Sequence, residues 1–236
     1  MIRHFLTVAT LGLVACGGGG DDDVTPDAPI SAPQTIMISG AAQEISAGGA
    51  DPSEGVLIEA FSNTDEATVI TTATTNASGN YTLIVETDGS ALDGFLKATK
   101  SGLLVTYLYP PEPLAADFDG ASINMVSQQT FNFLSSVLCS ATQDSSKGTI
   151  AALVYDASDV PVAGATISTS PAASSVCYNG TNDLPDGDAT ATAADGVGYL
   201  FNVTGDVTIS ATASPMPRSH SVKARAGALT TTLLRP

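Results

Sequence analysis

The sequence predicts an all-β protein, two β-sandwiches in tandem after a disordered tether. Three observations point that way. Thr, Ala, Val, Ser and Gly dominate while Lys and Glu are scarce and Trp is absent. Long soluble helices draw on Glu, Lys, Arg and Leu, whereas Thr and Val fit a pleated, half-buried surface. Short apolar runs alternate with Gly, Asn, Asp and Pro turns from Thr35 onward, and the order of those runs occurs twice.

The first copy opens with Thr35 to Ile38. Val56 to Phe61 forms a second strand, and the Thr-rich stretch Ala67 to Thr75 a third. Asn76 to Asn80 has turn chemistry, with Gly79 suited to positive φ. Tyr81 to Val85 leaves that turn, and Gly94 to Thr99 and Leu103 to Tyr109 continue the series. The second copy opens at Gly148 to Asp156. Pro161 to Ser168 corresponds to Pro52 to Glu59, and Ala189 to Ala193 is the Thr-rich strand. Asp195 to Val203 matches Ser78 to Val85, and Gly205 to Thr212 parallels Asp93 to Thr99. The second copy is longer because of a loop around Pro171 to Asp188, a cheap insertion because loop-closure cost rises only logarithmically. The expected organisation is therefore 1–15 as an export signal, 16–34 as tether, 35–126 and 147–236 as sandwiches, and 127–146 as a connecting segment. Within that segment, Ser127 to Leu138 reads either as a short helix or as a ragged strand. As a helix it would place Phe131, Leu134 and Leu138 on one face.

Pro161-Val162-Ala163-Gly164-Ala165-Thr166-Ile167, with a Thr-rich strand, a Gly turn and a Tyr-Leu run in both halves, resembles the carboxypeptidase regulatory-like domains. The resemblance covers most of 35–236 and implies transthyretin-like, Ig-like sandwiches of about seven strands, used as accessory modules outside the cell. It transfers no catalytic residue.

The N-terminus reads as an address. Arg3 precedes Phe5 to Ala15, a run without charge. That run is too short to span the ~30 Å hydrocarbon core, which takes about 20 residues. A basic start, a short apolar stretch and small residues at its end describe a secretory signal. Leu13-Val14-Ala15-Cys16 resembles the bacterial lipobox. That likeness implies a diacylglycerol thioether on Cys16, cleavage before it and acylation of the new amine. One acyl chain anchors only marginally, and each buried methylene adds ~0.8 kcal/mol, so two or three chains hold a protein to a bilayer. Gly17 to Gly20, Asp21 to Asp23, and Pro26, Pro29 and Pro33 follow as a tether. Its reach is at most ~60 Å when extended. Gly17 after the Cys resembles outer-membrane sorting, so the expected partner is a lipid bilayer, at the bacterial outer membrane, on its periplasmic face or the cell surface.

Eight Lys and Arg face 24 Asp and Glu, a formal net charge of −16. Nucleic-acid binding needs a basic footprint and is excluded. Direct adhesion to anionic headgroups is disfavoured as well. Catalysis is short of parts, because once the signal is removed His220 is the only histidine. It sits beside Pro215, Pro217, Arg218 and Ser219 and reads as a surface residue. No Gly-x-Ser-x-Gly elbow, Walker loop, zincin signature or Cys-x-x-Cys occurs. No catalytic residue, cofactor or resident metal is therefore expected. Asp117-Phe118-Asp119-Gly120 and the set Asp183, Asp186 and Asp188 around Gly187 offer oxygens to Ca²⁺, but Asp and Gly are also ordinary turn residues. Tyr107 and Tyr109 fall on one strand face, either as packing or as a sugar-stacking platform. Once Cys16 carries lipid, Cys139 and Cys177 remain, an even pair in an oxidising compartment. They read as a disulfide or as two buried thiols, and a bridge would close a loop worth nominally ~4 kcal/mol. The functional expectation is a non-catalytic, membrane-anchored surface lipoprotein whose modules serve as spacers or protein-interaction domains. The alternative is a carbohydrate-binding lipoprotein for polymer capture.

Overall fold

In both copies the same three residues build the local turn. Gly55 and Gly164 take φ of +74° and +78°, and Gly79 and Gly196 take +76° and +72°. A β-carbon on Gly79 would lie 2.5 Å from the Ala42 carbonyl oxygen, and one on Gly196 2.5 Å from that of Val154. The third residue is a buried threonine. Thr75 donates to the Ser53 carbonyl at 2.6 Å and accepts from the Val56 amide at 2.9 Å. Thr192 does the same with the Val162 carbonyl at 2.6 Å and the Ala165 amide at 2.9 Å.

A computed structural model describes residues 33–46, 49–212 and 218–236. The expectations for the signal, Cys16 and most of the tether lie outside these residues. The first half holds β1 (Thr35–Ser46), β2 (Gly49–Pro52), β3 (Leu57–Ser62), β4 (Thr71–Thr74), β5 (Asn80–Glu86), β6 (Gly94–Thr99), β7 (Thr106–Tyr109), β8 (Phe118–Asp119) and β9 (Ile123–Val126). Then come α1 (Gln128–Asn132) and a π-helical stretch, Phe133–Leu138. The second half holds β10 (Gly148–Val154), β11 (Thr166–Ser170), β12 (Ser175–Asn179), β13 (Pro185–Asp186), β14 (Val197–Val203), β15 (Gly205–Thr212), β16 (Arg218–Ala224) and β17 (Leu229–Leu234).

The described residues are all-β apart from that short helical segment, as the composition predicts. The repeat is visible in the pairing. β1 runs antiparallel to β5 and parallel to β9, and β10 runs antiparallel to β14 and parallel to β17. β3 pairs β6, which pairs β7, and β11 pairs β15, which pairs β16. Alternation sets the inner faces. In β5, Tyr81, Leu83 and Val85 are buried and the residues between them exposed.

The halves are joined more closely than a tandem arrangement implies. β17 pairs in parallel with β7, Leu229 opposite Thr106 through Thr232 opposite Tyr109. This creates one nine-stranded sheet in the order β13-β12-β14-β10-β17-β7-β6-β3-β4. A sheet built on β2, β1 and β5, with β8 and β9 alongside β1, covers its first-half end, and β11-β15-β16 forms a third sheet. One core gathers Ile38, Ile58, Leu83 and Ile123 of the first half. A second joins Ile150, Leu200 and Ile209 of the second half to Phe61, Phe95 and Tyr109 of the first.

Two local expectations are corrected. Ala189 to Ala193 is not a strand, because Thr192 satisfies the neighbouring turn with its side chain and no ladder partner is in register. The presumed loop from Pro171 to Asp188 contains β12 and β13, which extend the large sheet along the edge of β14. The segment after Ser127 is helical, as one of its two readings has it. Ser127 caps α1 by accepting from the Thr130 amide at 3.1 Å.

Candidate functional site

The tyrosine pair falls at the junction of the halves and the cysteine pair on the outer face of the second-half sheet, while the acidic clusters lie at β8 and β13 and His220 on β16. At the junction, Tyr107 and Tyr109 do share a face of β7, and both pack on Phe95, with ring centroids 5.8 and 5.1 Å away. Phe61 stacks on Phe95 at 5.4 Å. The Arg225 guanidinium carbon lies 4.1 Å from the Tyr107 ring centre and 4.5 Å from that of Phe95. Arg225 also donates to Glu66 Oε2 at 2.9 Å and to Tyr109 Oη at 3.1 Å, and Lys223 Nζ reaches Glu66 Oε1 at 2.8 Å. Tyr109 is only 3% exposed and Arg225 covers a face of Tyr107, so the pair forms no open sugar-stacking platform. Here a cation and four aromatic rings hold the two halves together.

The electrostatics of this cluster follow from its burial. Desolvation pushes the Glu66 carboxyl up, but hydrogen bonds from Lys223 and Arg225 outweigh it and hold it below the ordinary carboxylate range. Burial raises the Tyr109 phenol, with Arg225 pulling the other way. His220 is half-buried on β16, not a surface residue, with its Nε2 buried and without a hydrogen bond. Burial lowers its pKa against the opposing charge of Asp93. Among the described residues no carboxylate or hydroxyl is hydrogen-bonded to His220 Nε2.

The acidic loops act as braces. Asp117 Oδ1 accepts from the Met37 amide at 2.8 Å, and Asp119 accepts from the Ser39 hydroxyl, tying β8 to β1. Asp186 accepts from the Asp188 amide at 2.9 Å within its own turn. Among the described residues no three His, Cys, Asp or Glu side chains gather in a way that would hold a metal ion.

Cys139 and Cys177 are bonded, with Cα atoms 5.7 Å apart. The bridge ties the end of the π-helical stretch to β12, and the Gly187 amide donates to the Leu138 carbonyl at 2.8 Å. The helical segment is thereby strapped across the outer face of β12, β14, β10 and β17. Residues there that a one-sided sheet would expose, Ala151, Cys177, Phe201 and Leu229, form a third core with Val126 and Phe131. A helix and a bridged cysteine pair were each one of two readings the sequence left open. What the strap covers was not legible, because the second-half strands then show apolar residues on both faces and lose the alternation that marks one buried side.

The fold therefore defines a double β-sandwich sharing one sheet. No family model matches the chain, and no curated protein matches it. Among solved structures, the shaft pilin SpaA of Lactobacillus rhamnosus GG is 14% identical, covering 86% of this chain and 98% of its own at a TM-score of 0.28. The minor pilin GBS52 of Streptococcus agalactiae is 13% identical over 85% of this chain and 95% of its own, with a TM-score of 0.26. The Bacillus anthracis TIE protein is 8% identical over 85% of this chain at a TM-score of 0.28, and the match spans only 34% of that protein. Superpositions this loose carry no argument about function.

Proposed function

We propose that the protein is a non-catalytic lipoprotein of the bacterial envelope. In this reading acyl chains on Cys16 hold it at the outer membrane, and its two carboxypeptidase regulatory-like halves serve as a stiff spacer and interaction module. The observation that carries the reading is the sheet running unbroken from one half to the other through β17 and β7. A linker-joined pair of domains moves by default. A pair that shares backbone hydrogen bonds and a buried aromatic cluster holds its two ends at a fixed distance, which is what a stand-off support requires. The repeated glycine–threonine turn supports treating the halves as copies of one module. The lipobox-like Leu13 to Cys16 and the Gly, Asp and Pro-rich run after it support the anchor. The strongly acidic body would be repelled by anionic lipid, so attachment falls to the acyl chains.

The test is metabolic labelling of bacterial cells with an alkynyl fatty acid, followed by detergent phase partitioning. Wild type is expected to carry label and enter the detergent phase, and Cys16→Ser to do neither and appear in the soluble fraction. An unlabelled, water-soluble wild type overturns the proposal.

A further inference from the structure

Beneath the strap lies a cavity of about 280 Å³. Protein interiors are packed as densely as organic crystals, and a water molecule's share of volume is only about 30 Å³. A space this size is therefore conspicuous under a segment held down by a disulfide. Its walls are largely apolar, with Phe131 and Leu134 from the strap facing Ala151, Leu153, Phe201 and Leu229 from the sheet. It continues into a groove of about 380 Å³ that shares Ile45, Leu134, Pro185 and Tyr199 with it. The groove is flanked by Phe133 and Leu184, which are half-exposed at 50% and 49%. The strap forms that flank as six residues of π-helix, a geometry rare in proteins and frequent at functional sites.

One end of the cavity is polar, and its polarity has a sign. Asn179 is 5% exposed, and its Nδ2 donates to Asp195 Oδ2 at 2.5 Å while its Oδ1 makes no hydrogen bond. The Tyr199 hydroxyl stands beside that amide, and burial pushes its pKa up to about 12, so it remains a neutral phenol. Asp183 lines both the cavity and the groove. Among the described lining residues none is Lys, Arg or His. The groups at this end are mostly acceptors. The other polar lining residues, Asn124, Ser135 and Thr231, are neutral, so a carboxylate or phosphate head would meet the like charge of Asp183 and no cation, whereas an ammonium group would meet acceptors and a carboxylate.

We infer that this cavity binds a small amine with an apolar body, its ring or short chain between Phe131, Leu134 and Phe201 and its head toward Asn179 and Tyr199. Ligand pockets with mostly apolar walls and a few polar groups at one end have this form, and about 280 Å³ stands near the small end of their range.

The experiment titrates the purified full chain with benzylamine, benzyl alcohol and benzoate, three molecules with one ring and different heads. Binding is followed by the amide signals of 128–139 and 197–201 and the side-chain amide of Asn179 in two-dimensional NMR. Benzylamine is expected to shift those signals and to bind at least tenfold more tightly than benzoate and several-fold more tightly than benzyl alcohol. Ala151→Met, which fills the floor of the cavity, is expected to weaken benzylamine at least tenfold. Should that variant fail to fold, competition by n-butylamine at the same wild-type signals serves instead. Shifts confined to other regions, no shift with any of the three, equal affinity for benzoate or benzyl alcohol, undiminished binding to a folded Ala151→Met, or no competition by n-butylamine would each overturn the inference.

Discussion

At Thr75 and Thr192 a single hydroxyl closes each copy's turn from both sides, donating to one carbonyl and accepting from one amide at 3% and 4% exposure. Valine has the same shape and neither bond, so Thr75→Val leaves the Val56 amide and Ser53 carbonyl without their buried partner. The expected cost is about 1–3 kcal/mol in urea unfolding, with Thr75→Ser close to wild type. Thr192→Val is expected to cost a similar amount, and the double variant the sum, because the two turns share no partner. Of the glycines of this device, Gly79 was legible in the sequence, since a turn before an apolar run asks for positive φ. The threonines were not singled out, because several others stand beside them and only one in each copy turns inward. Glu66 makes a second prediction at this scale. Its carboxyl sits below its ordinary range in the fold, so the stabilisation it brings is present above the unfolded-state pKa and lost as pH falls through the lower folded value. Glu66→Gln is expected to lower stability at neutral pH and to flatten the acid side of the stability–pH curve. An unchanged acid limb in urea titrations at several pH values would remove Glu66 from the account.

The helical strap is the element whose stability depends most on a single bond. α1 has five residues and one cap, too few to persist alone in water. Phe131 gives it one buried anchor, and the disulfide to Cys177 closes its far end. Replacing both cysteines by serine is expected to cost up to ~4 kcal/mol, the loop-closure value for a chain separation of 38 residues. Hydrogen exchange should rise sharply across 128–139 and much less in β10 and β14, whose ladders do not involve the bridge. Uniform loss of protection over the sheet would mean that the strap is part of the core, not a cover over it. The sequence offered the helix and the disulfide each as one of two readings, because each depends on nearby residues or on a simple count of thiols. The local pattern missed β12 and β13, which Gly, Pro and Asp disguise as a loop. β12 takes its place from β14, which lies beyond a long intervening segment, and β13 pairs only with β12, so neither strand is marked by its own residues.

At the scale of the molecule, the strand order that repeats in the sequence predicts two sandwiches in tandem, joined by a connecting segment. Instead the last strand of the chain, β17, lies between β10 of its own half and β7 of the other, with Thr230 and Thr232 fully buried and Thr232 bonded to the Tyr109 carbonyl at 3.3 Å. Nothing in the spacing of turns announces this, because parallel pairing across halves is a tertiary choice. The described residues accordingly form one compact unit. Its consequence is cooperative unfolding. Fluorescence of the first-half Tyr81 and of the second-half Tyr178, isolated by Tyr→Phe changes at the other tyrosines, should report the same urea midpoint and slopes that account for the whole chain. Arg225→Ala removes the cation from the shared aromatic cluster and leaves Glu66 with Lys223 alone, at an expected cost of about 2–4 kcal/mol. If the halves are one folding unit, that variant lowers both tyrosine midpoints together. If they are two units touching, the midpoints separate, and the stiff spacer in the proposed function becomes a hinged one.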